Sequence, residues 1–333
     1  MPRMRAIVIT KPGGPEVLEL REVPLPEPSP GQVRVRIRAS AVNRADLMQR
    51  LGMYPAPADA PADIPGLELA GEVDALGAGV TELAVGDRVF GLVGGGAYAE
   101  AVTAHARTLA RIPSNLDFTQ AAALPEAFIT AYDAMVLQAG LVAGEVVLVH
   151  AVGSGVGTAA VQIARAIGAR AIGTARTASK LGRAQELGMS EGIVPTTKNG
   201  APVFAERVKE LTGGKGADVV LDLVGGTYVP ESLAALRERG RHVLVGLLAG
   251  TSAEIDLGMV LRRRLHLLGT VLRSRPLEEK ILAGQVLERR LAPLFATGAL
   301  GPVIDRVFPL ESAGEAHAYV AANEGFGKVV LTA

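Results

Sequence analysis

The stretch HAVGSGVG, His150 to Gly157, places glycines at 153, 155 and 157 directly after the apolar run EVVLVHA. Glycines at the end of a strand let the chain turn tightly. They also bring the backbone N–H groups of residues such as Ser154, Gly155 and Val156 against a pyrophosphate, and let the next helix pack close to the strand. The spacing is G-x-G-x-G rather than the G-x-G-x-x-G of the dinucleotide fingerprint, so an ordinary tight turn is the competing account. Context favours the dinucleotide, because the turn opens a helical period and starts a series of alternating β and α segments.

Enzymes that use NAD place an acid about 20 residues beyond the first glycine, where it accepts from the ribose 2′-hydroxyl. This chain instead reads Gly173, Thr174, Ala175, Arg176, Thr177, with Lys180 close behind. Hydroxyls and two cations suit a 2′-phosphate, so NADPH is expected in preference to NADH. The alternative for Arg176 and Lys180 is a solvated helix start.

Other chemistry is excluded by composition. The chain has no cysteine, which removes thiolate nucleophiles, iron–sulfur ligation and every cysteine-containing zinc site. Its five histidines, His105, His150, His242, His266 and His317, lie far apart without ligand spacing, so no metal site is expected. Lys plus Arg and Asp plus Glu both number 34, and the longest like-charge run is Arg262–Arg264, which argues against a nucleic-acid partner. The N-terminus lacks a signal-length apolar stretch, and later apolar runs are broken by Gly or charge, so a cytoplasmic protein without a membrane partner is expected.

The elements that must position these residues fall into three stretches, as a chain of 333 residues exceeds what one core usually holds. In residues 1–123, VRVRIRAS alternates strictly, with Val33, Val35 and Ile37 on one face and Arg34, Arg36 and Arg38 on the other. This is a half-solvated strand, and similar short runs separated by Gly and Pro predict a β-barrel-like domain. Residues 124–271 alternate β-rich runs with helical periods, which means a doubly wound parallel sheet, and Gly168, Gly188 and Gly240 are expected to close its helices. Residues 272–333 give a long helical segment, a second helix and a closing strand GKVVLTA, nearer in texture to the head.

Several stretches together carry a resemblance over essentially the whole chain: AVNRADLMQRLGMYP, PGLELAGEV, GDRVFGL, PEAFITAYDAM, HAVGSGVGTAAVQIARAIGA, DLVGGTY, LRSRP and GKVVL. In this order they resemble the quinone oxidoreductase branch of the medium-chain dehydrogenases/reductases. The style is nearest the tumour-suppressor-inducible NADPH quinone oxidoreductases, with zeta-crystallin more distant. The resemblance implies a GroES-like domain, a Rossmann domain, a C-terminal segment returning to the first, a substrate cleft between the two domains, and a homodimer paired through the edge RLHLLGTVL. Asn43 and Leu67 stand where the zinc alcohol dehydrogenases of the superfamily carry Cys and His ligands. The implied chemistry is therefore metal-free hydride transfer to a quinone or another conjugated carbonyl.

By the same resemblance Asn43, Asp46 and Tyr54 line the substrate cleft, with the Asn43 amide and the Tyr54 hydroxyl as donors, while Asp46 equally suits a helix cap. Thr130, Gly246, Leu247, Leu272, Arg273 and Ser274 border the nicotinamide, and Lys328 approaches the 2′-phosphate or is solvated. Two departures stand out: Pro195 replaces a Tyr usual at the end of the third Rossmann strand, and Ser154 takes the middle place of the glycine turn. Two other functions stay open. One is an enone or enoyl-thioester reductase of the same superfamily; the other is a cofactor-binding structural or RNA-binding protein with little turnover.

Overall fold

A computed structural model describes residues 2–333. The chain divides into two units, one formed by residues up to Ile129 with Leu272–Ala333, the other by Thr130–Val271. The first unit begins with β1 (Arg3–Ile9) paired antiparallel to β2 (Leu18–Pro24). Next come β3 (Gln32–Val42), α1 (Arg44–Arg50), β4 (Glu68–Leu76), β5 (Arg88–Leu92), β6 (Ala101–His105) and β7 (Leu109–Arg111). The alternation in β3 is realised as expected: Val33, Val35 and Ile37 are core residues, while Arg34 and Arg38 pair outward with Asp74 and Glu72 at 2.8 and 2.7 Å.

The expected boundary after residue 123 falls later, after Ile129. The reason is that α2 (Phe118–Ala122) is followed by α3 (Pro125–Tyr132), whose first turns belong to the first unit. There Phe128 packs edge-on against Phe295 at 4.9 Å, and the Glu126 N–H donates to Glu68 at 2.8 Å.

The second unit carries β8 (Val146–Val149), α4 (Gly155–Ala166), β9 (Arg170–Thr174), α5 (Ala178–Glu186) and β10 (Glu191–Ile193). A small hairpin of β11 (Thr196–Lys198) and β12 (Ala201–Val203) leads to α6 (Ala205–Leu211) and β13 (Ala217–Asp222). The unit then continues through α7 (Tyr228–Ala235), β14 (Leu236–Leu244), α8 (Leu257–Arg263) and β15 (His266–Gly269). Its sheet is parallel throughout, in the order β10-β9-β8-β13-β14-β15. Renumbered within the unit this is 3-2-1-4-5-6, the Rossmann order, with its switch point between β8 and β13.

Gly168 and Gly188 end their helices in left-handed conformation, φ 79° and 108°. Gly240 does not: α7 already stops at Ala235, Gly240 lies inside β14, and the left-handed residue is Arg239 at φ 59°. The register of β14 against β13 shifts between Ala217 and Val219, and this irregular start of the strand takes up the residues assigned to the helix.

The chain returns to the first unit through α9 (Leu277–Val286), α10 (Ala292–Ala296), β16 (Ile304–Pro309), α11 (Ala313–Ala322) and β17 (Lys328–Thr332). There β17 pairs antiparallel with β3, Val329 opposite Val42, completing a sheet ordered β16-β17-β3-β4-β5-β7 with β6 also on β3.

Candidate functional site

The glycine turn joins β8 to α4 at the C-terminal edge of the Rossmann sheet. Its left-handed residue is Ala151, φ 48°, and none of Gly153, Gly155 and Gly157 has a positive φ. Gly157 is required for another reason: a Cβ there would lie 2.6 Å from the Ala151 carbonyl oxygen and 2.7 Å from the Val152 Cα, so only glycine lets the helix sit this close to the turn. Ser154 caps α4, its hydroxyl accepting from the Gly157 N–H at 3.1 Å. Gly155 and Val156, the first residues of α4, direct N–H groups away from the helix with no intrahelical acceptor.

One strand over, at the end of β9, Arg176 and Thr177 are exposed and Lys180 is half-buried at the start of α5. The ends of β13 and β14 complete this edge. Asp222 accepts from the Val224 and Gly225 N–H groups, both at 2.8 Å, and Gly225 and Gly226 turn left-handed at φ 66° and 52°. Gly246 then passes so close that a Cβ would meet the Leu223 carbonyl at 2.5 Å, and Leu247 beyond it is exposed. A dinucleotide fits these residues: a close-packed glycine turn, free helix N–H groups at the switch point, and cations two strands from β13.

Thr174 belongs to a different structure. Its side chain is buried and its hydroxyl is 2.9 Å from His150 Nδ1. The Ser232 hydroxyl donates to the Tyr228 carbonyl at 2.7 Å, so at 2.8 Å it accepts from His150 Nε2–H, and Nδ1 accepts from Thr174. His150 is therefore neutral, and burial pushes its pKa down to about 4. The expectation that the Thr174 hydroxyl meets a 2′-phosphate is corrected: it holds β8, β9 and α7 together. Thr130 is also buried, within α3.

In the first unit β3 ends at Asn43, which caps α1 in a reciprocal box: the Asn43 N–H donates to Asp46 Oδ2 at 2.8 Å. Asp46 is fully buried and also accepts from the Gly66 N–H at 3.1 Å and the Tyr98 hydroxyl at 3.2 Å. Burial, opposed by the Asn43 and Gly66 N–H groups and by Lys328 and Arg273, lifts its pKa to about 6. Asp46 is thus the cap of α1 and has no face toward a ligand.

The Asn43 amide is also committed. Its Nδ2 donates to Glu68 at 2.8 Å and to the Ala41 carbonyl at 3.2 Å, which uses both hydrogens, and its Oδ1 accepts from Lys328 at 2.6 Å. Lys328 spends its three protons on Asn43, Glu68 at 2.7 Å and the Val42 carbonyl at 3.2 Å. The expected roles of Asn43 as donor to substrate and of Lys328 at a 2′-phosphate are therefore corrected. The β17–β3 register puts Lys328 beside a wholly buried Glu68, and the ion pair dictates the rest.

Tyr54 is half-buried in the irregular stretch after α1. Burial raises the pKa of its hydroxyl despite the opposing charge of Arg273, so it is a proton-bearing donor at neutral pH. Arg273 is buried in the first unit: it donates to the Gly94 carbonyl at 2.7 Å, Gln49 Oε1 at 2.6 Å and the Tyr54 carbonyl at 3.3 Å. With Leu272, Leu67, Leu92, Val93 and Glu126 it lines a mainly apolar recess, and both Arg273 and Glu126 act electrostatically on Tyr54. Ser274 is exposed.

Sequence reasoning missed Glu68, Glu126, Tyr98 and Gln49. The signal for Glu68 was present, an acid in the apolar run PGLELAGEV; the others carry none without the fold. Among the described residues no group of three His, Asp or Glu side chains is placed to hold a metal ion.

Residues 29–114 match the alcohol dehydrogenase GroES-like domain family, and residues 155–286 match the family described as zinc-binding dehydrogenase. Human quinone oxidoreductase is 33% identical over 332 residues, covering 98% of this chain and 97% of the relative. Two solved structures align over nearly their whole length. One is a mycobacterial protein complexed with NADPH, 31% identical with TM-score 0.88 over 99% of this chain and 100% of that one. The other is an NAD-dependent alcohol dehydrogenase, 36% identical with TM-score 0.85 over the same shares. A GroES-like unit interrupted in sequence by a Rossmann unit defines a medium-chain dehydrogenase/reductase. Within that superfamily the chain belongs to the zeta-crystallin-like quinone oxidoreductase family, a family of oxidoreductase enzymes that take a nicotinamide cofactor.

Proposed function

We propose that the protein reduces quinones with NADPH, by metal-free hydride transfer, with Tyr54 as the hydrogen-bond donor to the acceptor oxygen. The observation that carries the Tyr54 assignment is the donor count at the head of α1. Asn43, Asp46 and Lys328 are all committed to one another and to Glu68, Gly66 and Tyr98, whereas the Tyr54 hydroxyl has no acceptor among the described residues. An electrophilic acceptor needs little more than orientation and one donor, because its incoming charge spreads through conjugation before protonation.

The nicotinamide cofactor supplies the hydride when bound. Around it the chain contributes the close-packed turn at Gly157, the N–H groups of Gly155 and Val156, and the exposed Arg176 and Thr177 with the half-buried Lys180, a set with two cations and no acid for a ribose diol. These residues support NADPH over NADH, as does the NADPH complex of the mycobacterial relative. The balanced reaction is quinone, NADPH and one proton giving hydroquinone and NADP⁺.

The protein is further read as a cytoplasmic homodimer. Its cysteine-free composition suits a reducing compartment. In support of the dimer, β15 is an edge strand with Leu267 exposed and Val271 exposed just beyond its end, and Leu257 and Leu261 of α8 are 71% and 76% exposed. Anaerobic assay of products tests the reaction: one hydroquinone per NADPH oxidised is expected, and NADPH that binds without being consumed by any quinone would contradict it. Sedimentation showing only monomer would remove the dimer.

A further inference from the structure

We propose that Arg273 is the positioning residue for Tyr54, holding its hydroxyl at the angle the acceptor oxygen requires. The proposal rests on the reading of Tyr54 as donor. Tyr54 lies in a stretch between α1 and β4 that has neither helix nor strand, and its neighbours Met53 and Pro55 are exposed. A side chain on such a segment has no lattice of backbone hydrogen bonds to fix it, yet a catalytic donor must be held closely to be useful.

One guanidinium meets both the backbone and the ring of Tyr54. Arg273 Nη1 donates to the Tyr54 carbonyl at 3.3 Å, and its central carbon lies 5.2 Å from the ring centroid, within cation–π range. The guanidinium is itself fixed. Nε donates to the Gly94 carbonyl at 2.7 Å, Nη2 donates to Gln49 Oε1 at 2.6 Å, and Gln49 in turn donates to the Ala62 carbonyl at 3.1 Å. One planar fork thus joins the last turn of α1, the Tyr54 carbonyl and the Gly94 loop, and through Gln49 the far end of the irregular stretch.

A lysine cannot do this, because a single ammonium on a flexible stem has neither the fork nor the planar face. Arg273 is also the second residue of the returning segment, 179 to 224 positions from its partners in sequence, so ordering of Tyr54 waits on that return.

The test is a cycle of three variants, each checked for an unchanged melting temperature: Tyr54→Phe, Arg273→Lys and the double. Tyr54→Phe should lower kcat with a quinone by about 10²-fold. Arg273→Lys should lower kcat by about tenfold while leaving the KM for NADPH unchanged, and the double should be no slower than Tyr54→Phe alone, because the fork acts only through the hydroxyl. Gln49→Leu removes one anchor of the fork and covers the case in which Arg273→Lys does not fold; it too should slow the wild type and leave Tyr54→Phe unaffected. If Tyr54→Phe is slow but the Arg273 and Gln49 losses multiply with it, the positioning role is overturned and the Tyr54 reading survives. If Tyr54→Phe runs at the wild-type rate, the Tyr54 reading falls and takes the positioning role with it.

Discussion

Side chains at the head of α1 are committed to one another, so recognition of a 2′-phosphate is expected from a different group of residues. Arg176, Thr177 and Lys180 sit at the end of β9 on a solvent-facing edge. A charge-assisted hydrogen bond to phosphate is worth about 1.5–3 kcal/mol. Replacing both Arg176 and Lys180 with Ala should therefore weaken NADPH binding by at least about tenfold while NADH binding stays level, measured by titration calorimetry; equal loss for both would mean the cations do not meet a 2′-phosphate. Gly157→Ala should abolish binding of either cofactor or destabilise the chain, since the methyl would strike the Ala151 carbonyl at 2.6 Å; a variant that binds normally would contradict the packing argument. The sequence made the glycine turn and these cations readable because both signals are local. Thr174 read the same way and was misassigned, because the direction of its hydroxyl depends on His150 and Ser232, and Ser232 lies on an element far along the chain.

At the scale of elements, alternation and periodicity revealed the strands and the Rossmann alternation well, since β3 alternates buried and outward residues over its first half and β8 is a short continuous buried run. What they could not reveal was register across distant strands. The pairing of β17 with β3 brings Lys328 onto Glu68 and decides the fate of Asn43, and no local pattern in GKVVL announces it. The consequence is measurable. Lys328→Met would strand a fully buried Glu68 carboxylate and should cost about 3–5 kcal/mol in urea unfolding, whereas adding Glu68→Gln should recover much of that loss. A cost below 1 kcal/mol for Lys328→Met would mean the pair does not tie β17 to the sheet.

Across the whole molecule, buried ionisable groups set how stability follows pH. Burial pushes His150 and His317 down to about 4 and about 3 from an ordinary 6.5, the latter with help from Arg50. The unfolded chain therefore takes up these protons first, and stability falls as pH drops from about 6.5. Asp46 acts oppositely: raised to about 6 from 3.8, it is protonated first in the folded state and favours folding as pH drops through 6. Two histidines outweigh one carboxyl, so the melting temperature should fall on acidification from pH 6.5 to 5, and His150→Asn with His317→Gln should flatten that slope. An unchanged slope in the double variant would show that the histidines are not the cause.

The central claim is the pairing of NADPH with a quinone, and kcat/KM for cofactor oxidation across a small set of ortho- and para-quinones, run with NADPH and NADH and beside a conjugated enone, tests it most directly. The account predicts turnover of at least one quinone with NADPH favoured by tenfold or more and a slower enone. Faster turnover of the enone, or equal use of NADH, would contradict it.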